Sequence, residues 1–149
     1  MFYTILLNLL LLSGSASITI NSAPTAPPAT STLEVKVTNV KKAKGSIMLA
    51  IYDSAENFMG PDYFRTATEV VNQTGAVVVQ VPELPFGSYA ITIYHDENGN
   101  NELDTNLFGI PSESYGFSNN ARRTFGPPSY DEARFDFSEN GQIIEVKVK

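Results

Sequence analysis

From Leu33 onward apolar and polar residues alternate, with Leu33, Val35 and Val37 set against Glu34, Lys36 and Thr38. A period of two puts the two sets on opposite faces of an extended chain, so the segment is a strand with one buried face. The run Ser46-Ile47-Met48-Leu49-Ala50-Ile51-Tyr52 is apolar nearly throughout, which marks a central strand. Between them, Lys41-Lys42-Ala43-Lys44-Gly45 reads as a solvated basic turn rather than a binding patch. Residues 53–59 have the look of a helix start, but Gly60-Pro61 limits any helix there to one turn. Residues 66–71 and 76–81 are strands, and Asn72-Gln73-Thr74-Gly75 between them suits a hairpin turn. Next, Leu84-Pro85-Phe86-Gly87-Ser88-Tyr89 feeds a strand with Tyr89, Ile91 and Ile93 on one face and Ala90, Thr92 and Tyr94 on the other. A tyrosine at such a strand start is expected to bond its hydroxyl back to nearby backbone. Finally, residues 133–137 and 143–148 flank Asn140-Gly141, a strong short-range turn signal, and so predict a terminal hairpin.

About seven short strands, no long helix and no internal repeat predict an all-β fold, a single antiparallel β-sandwich; the pattern Leu84-Pro85-x-Gly87-x-Tyr89 resembles the strand entry of prealbumin-like sandwich domains, which implies an immunoglobulin/prealbumin-like type. One stretch stands apart. Residues 95–131 contain no clean strand and exceed the roughly 15 residues beyond which a structureless connection is unusual in a compact domain. Its rings, Phe108, Tyr115, Phe117, Phe125 and Tyr130, carry too much apolar surface for a disordered tail. An ordered loop folded over one end of the sandwich is therefore expected.

The start of the chain follows other rules. No charged side chain occurs before Glu34, and Met1 to Leu12 is a short apolar run followed by small residues. This predicts a signal peptide over 1–22, then a Pro, Ala and Thr-rich spacer over 23–32 and a sandwich domain over 33–149. An uncleaved anchor or a buried core segment is the alternative for the first part. Export makes the location periplasmic or secreted. Cysteine is absent, so disulfides, thiolate metal sites and a cysteine nucleophile are excluded. A net charge of -6 and a pI near 4.7 repel phosphate backbones, so nucleic acid is not the expected partner.

Candidate chemistry concentrates after the fifth strand. Oxygen-bearing side chains occupy alternate positions Asp96, Asn98, Asn100, Glu102 and Asp104, around Gly99. A tight turn can aim such a set at one centre, and calcium accepts about six to eight oxygens in irregular geometry, so Ca2+ is the expected ion. The pattern departs from an EF-hand because Gly99 stands at the fourth place, Leu107 replaces the bidentate glutamate and a strand precedes the loop. A sandwich-type calcium loop, completed by a distant carboxylate such as Glu113, fits better. The competing explanation is that Asp, Asn and Gly cluster because they tolerate tight turns and cap their own backbone. His95 is the only histidine, which leaves it as either a locally bonded strand-end residue or the acid and base of a small hydrolase. Arg122 and Arg123 can clamp an anion or pair with Asp131 and Glu132. Tyr115, Phe117, Phe125 and Tyr130 can line a pocket for sugar or peptide, or simply cover the sandwich end.

The tract Asp96-x-Asn98-Gly99-Asn100, Phe108-Gly109-Ile110-Pro111 and Tyr115-Gly116-Phe117-Ser118-Asn119-Asn120 resembles a family of small exported bacterial proteins, the domain of unknown function 2141, over Leu33 to Lys149. That resemblance implies export and a compact domain and supplies no activity. It points to Asp96, Asn98, Asn100, Asp104, Tyr115, Asn119 and Arg122 as the tract to examine. The functional expectation is a non-enzymatic, calcium-stabilised binding module facing an unknown ligand or a cell-envelope protein. A small hydrolase using Asp96, Glu102 or Asp104 with His95, and a structural or adhesive surface protein, are the alternatives.

Overall fold

A computed structural model describes residues 29–149. The expected signal at 1–22 and the first part of the spacer lie outside the described residues. The elements are β1 (Thr30–Val40), β2 (Ser46–Tyr52), β3 (Arg65–Val70), β4 (Gly75–Pro85), β5 (Gly87–Asp96), β6 (Tyr115–Phe117), a 3-10 turn (Ser118–Asn120), α1 (Tyr130–Ala133), β7 (Phe135–Phe137) and β8 (Ile143–Lys147). They form two sheets, one ordered β4-β1-β8 and the other β3-β2-β5-β6 with β7 pairing β5 near its start. No helix among the described residues is long and apolar enough to cross a membrane.

The alternation seen in the sequence builds the core. Leu33, Val35 and Val37 of β1 and Val77, Val79 and Val81 of β4 face Ile47, Leu49 and Ile51 of β2 and Ile91 and Ile93 of β5, all buried. Burying the face of each strand against the opposite sheet is what stabilises a two-layer sandwich. Because β5 is covered on both faces, its second face packs a smaller cluster in which Ala90 meets Tyr52, Phe117, Tyr130 and Ala133.

Four expectations need correction. β1 starts at Thr30, inside the stretch expected to be spacer, since Thr30 and Ser31 pair with Pro85 and Leu84. The hairpin expected between residues 66–71 and 76–81 is a crossover: β3 pairs β2 in one sheet, and β4 pairs β1 in the other. The terminal hairpin is likewise absent, because β7 pairs β5 whereas β8 crosses the sandwich and runs parallel to β1. A turn sequence specifies where the chain reverses; which sheet receives the next strand is decided by where its apolar face is buried. Phe137 and Val146 enter the core from opposite layers. Lastly, the long loop does contain a strand, β6, paired with Thr92, Ile93 and Tyr94.

β6 also closes one side of the sandwich. Tyr115 and Lys149 exchange backbone hydrogen bonds of 3.1 and 3.0 Å, joining the last residue of the chain to the other sheet. The approach is so close that a Cβ at Gly116 would stand 3.0 Å from the Lys147 carbonyl oxygen, which explains a glycine between two aromatic residues.

The expected corner is present: the Tyr89 hydroxyl donates to the Pro85 carbonyl at 2.9 Å. Burial, with Asp53 nearby, raises the pKa of this phenol, so it stays a donor at neutral pH. Tyr89→Phe keeps the ring packed against Phe64 and loses one hydrogen bond. It is expected to lower stability by about 1 kcal/mol, read as a small drop in melting temperature with unchanged circular dichroism.

Candidate functional site

Asp96 ends β5, where its partner strand begins: Ser46 of β2 lies opposite it. The chain must turn away at once, and the Asp96 carboxylate organises that turn. One oxygen accepts the Gly99 N–H at 2.7 Å and the other the Asn101 N–H at 2.9 Å. Burial alone would raise this carboxyl; the aligned N–H groups of Asn101, Gly99, Asn100 and Asn98 outweigh it and hold the pKa below its ordinary value. Two Asx turns follow, with Asn98 Oδ1 accepting the Asn100 N–H and Asn100 Oδ1 accepting the Glu102 N–H, each at 3.0 Å. The two amide nitrogens converge on Asp104, Asn98 donating at 2.7 Å and Asn100 at 2.9 Å.

Glu113 locks the far end of the loop to the near end. This buried carboxylate accepts the Glu97 N–H at 2.8 Å and the Asp104 N–H at 3.1 Å. A basic turn holds the outside: Lys42 donates to Glu97 at 2.5 Å, with Lys44 3.7 Å away. The bond from Lys42, working against burial and helped by Lys44 and His95, lowers the Glu97 pKa.

The five alternate residues are therefore not equivalent. Asn98, Asn100 and Asp104 are bonded to one another, Asp96 is turned to its own backbone, and Glu102 contributes its N–H while its side chain is exposed. Among the described residues, no group of three or more His, Cys, Asp or Glu is placed to hold a metal ion. Oxygen donors for calcium would instead mix carboxylates with asparagine oxygens, and the amide nitrogens now on Asp104 would have to give way. Asn101 has φ 62°, so the sixth place of the loop is left-handed.

His95 is buried, and its Nε2 donates to the Lys44 carbonyl at 2.7 Å. It lines neither of the two cavities described below. Asn119 is exposed, with φ 57°, and donates to the Arg134 carbonyl at 2.6 Å. Both fix backbone.

The remaining candidates come together. Tyr115, Phe117, Arg122 and Arg123 line one cavity of about 680 Å³, bounded also by Leu103, Ile110 and Phe125. A smaller hollow of about 150 Å³ adjoins it over the outer face of β5, sharing Met59, Leu103, Tyr115 and Phe117. The larger volume falls in the usual range of ligand pockets, roughly 300–1,000 Å³. Arg123 pairs with Glu132 at 2.7 Å, as one sequence reading expected, and Arg122 donates to the Lys147 carbonyl at 3.2 Å. Tyr130 does not reach the cavity; it packs under Phe58 and bonds the Ser88 carbonyl. The rim is apolar and open: Phe125 is 89% exposed, Ile110 59% and Met59 48%.

Met59, Leu103 and Ile110 were not among the sequence candidates. Met59 lies in the turn after β2, far along the chain, and nothing in its local pattern points to the cavity. Leu103 and Ile110 are apolar residues in a polar loop, a signal that periodicity does not read.

Compared with known proteins, residues 35–145 match the model of a family described as uncharacterized proteins conserved in bacteria. No curated protein and no solved structure matches the chain.

Proposed function

The chain belongs to DUF2141, an uncharacterised bacterial family, and from that premise we propose that it is an exported binding module whose residues 97–129 frame an apolar groove. The single observation that carries this reading is the cavity of about 680 Å³ walled by that segment and edged with exposed rings. Contiguous exposed apolar surface on a soluble domain marks an interaction site. The acidic turn is the brace: hydrogen bonds accepted by the carboxylates of Asp96, Asp104 and Glu113 fix both ends of the loop that carries Leu103 and Ile110. Export rests on the uncharged apolar leader and places the ligand in the periplasm or outside the cell. A hydrolase is less well supported, because His95 is buried with its Nε2 committed to a carbonyl.

The test is a titration with N-phenyl-1-naphthylamine, a neutral dye that brightens in apolar surroundings. Saturable enhancement is expected, and the double variant Ile110→Ser, Phe125→Ser should weaken it about tenfold, the equivalent of about 1.4 kcal/mol. Both residues are exposed, so the fold is expected to survive their replacement. Enhancement that never saturates, or that the variant leaves unchanged, contradicts the groove.

A second reading concerns the brace. The oxygens of Asp96, Asn98, Asn100 and Asp104 support calcium as a stabiliser of the loop. Millimolar calcium is expected to raise the melting temperature, because an ion bound only to the native state stabilises it by mass action, by about 2.7 kcal/mol at a hundredfold excess over Kd. An unchanged melt in calcium and in chelator would remove the ion from the account.

A further inference from the structure

Building on the groove reading, we propose that the occupant is a free amphiphile with an apolar body and one carboxylate head, the head held by Arg122. The body follows from the lining, where rings and aliphatic side chains of Tyr115, Phe117, Phe125, Leu103 and Ile110 predominate. The head follows from charge. Two arginines and no aspartate or glutamate are among the residues that line the cavity, although acids outnumber bases 16 to 10 in the chain as a whole.

The two arginines differ in what they have left to offer. Arg123 is already compensated, its Nε bonded to Glu132 at 2.7 Å. Arg122 makes its bond to a neutral acceptor, the Lys147 carbonyl, and no ion pair among the described residues includes it. Its exposed positive charge therefore has no carboxylate partner among the described residues, and a planar guanidinium fork matches a carboxylate through two parallel hydrogen bonds.

The backbone that carries Arg122 is fixed. Asn120 accepts the Lys147 N–H at 2.7 Å, and the Ala121 N–H donates to the Ser118 carbonyl at 3.2 Å. This holds the arginine against β8 in the lining of the cavity, where Phe125 and Ile110 are exposed. A second copy of the chain fits less well as occupant, since each copy brings a charge of -6.

The experiment displaces the bound naphthylamine dye with four dodecyl compounds below their micelle concentrations: dodecanoate, dodecyl phosphate, dodecyl maltoside and dodecyltrimethylammonium. Dodecanoate is expected to compete about tenfold more tightly than the maltoside and to lose that advantage in Arg122→Gln, a difference of the size of one charge-assisted hydrogen bond. Equal competition by all four overturns the carboxylate assignment and leaves the groove standing. Preference for the phosphate reassigns the head to a phosphate-bearing lipid and overturns the carboxylate. Absence of saturable binding by the dye and all four compounds overturns both readings, as does a stable dimer on light scattering that excludes the dye.

Discussion

Replacing Gly45 with alanine is expected to be the most damaging single-methyl change in the domain. Gly45 has φ +69°, and a Cβ built there would lie 2.0 Å from the Asp96 carbonyl oxygen. Neither atom can swing away, because β2 begins at the next residue with Ser46 opposite Asp96, and the Gly45 carbonyl accepts the Val71 N–H at 3.0 Å. The left-handed backbone costs a non-glycine residue about 1–2 kcal/mol, and forcing extra volume into a packed site costs a further 1–3 or so. A loss of about 2–5 kcal/mol is the expected result, a large part of the roughly 5–15 kcal/mol that holds a domain together. Urea denaturation checks it: the midpoint should fall sharply, whereas Gly99→Ala, with open space around its Cβ, pays only the backbone strain.

Asp96→Asn is the second large effect, and it carries a pH signature. The substitution keeps the shape and removes the charge that two backbone N–H groups share, and it turns an amide N–H₂ toward one of those donors. Hydrogen bonds to a charged group contribute about 1.5–3 kcal/mol each, so a loss of about 2–4 kcal/mol is expected. In the native protein the Asp96 pKa is held below its ordinary 3.8, and that of Glu97 below 4.5. A carboxyl with a depressed folded pKa contributes stability above its unfolded pKa and loses it as the pH falls through the folded one. Stability of the native chain should therefore decline below about pH 4. The Asn variant, with Asp96 removed, should show a shallower decline. Melting temperatures from pH 7 to pH 3 measure both slopes. Parallel curves for the two proteins would mean that the Asp96 charge does not brace the loop.

The same residues explain how much of this could be read in advance. The faces of β1 and β5 were legible because burial of alternate side chains writes itself into a period of two, β2 was legible as a central strand because its run is apolar nearly throughout, and Tyr89 was legible because its bond to Pro85 is local. Strand partners were not. Asn140-Gly141 makes a turn in either topology, and only the packing of Val146 and Val148 beside β1 sends β8 across the sandwich. β6 was hidden for a related reason: three residues with a central glycine show no alternation, and Gly116 is explained by a backbone more than thirty positions away in sequence. At the site, the oxygen-rich pattern of 96–104 was visible, but its use was not. A carboxylate that accepts its own backbone N–H groups and one that waits for a cation look alike in sequence. The cavity draws Met59, Leu103 and the stretch from Arg122 to Phe125 from three separate segments, so it exists only once β6 and the loop are in place.

The central claim is that the segment braced by Asp96 and Glu113 forms the binding surface, and amide hydrogen exchange with and without saturating naphthylamine dye tests it most directly. Slower exchange on dye binding is predicted for amides of residues 103–110 and 122–126, with the strands of β1 and β4 unchanged. Protection that appears in those two strands instead, or nowhere along 97–129, would contradict the account.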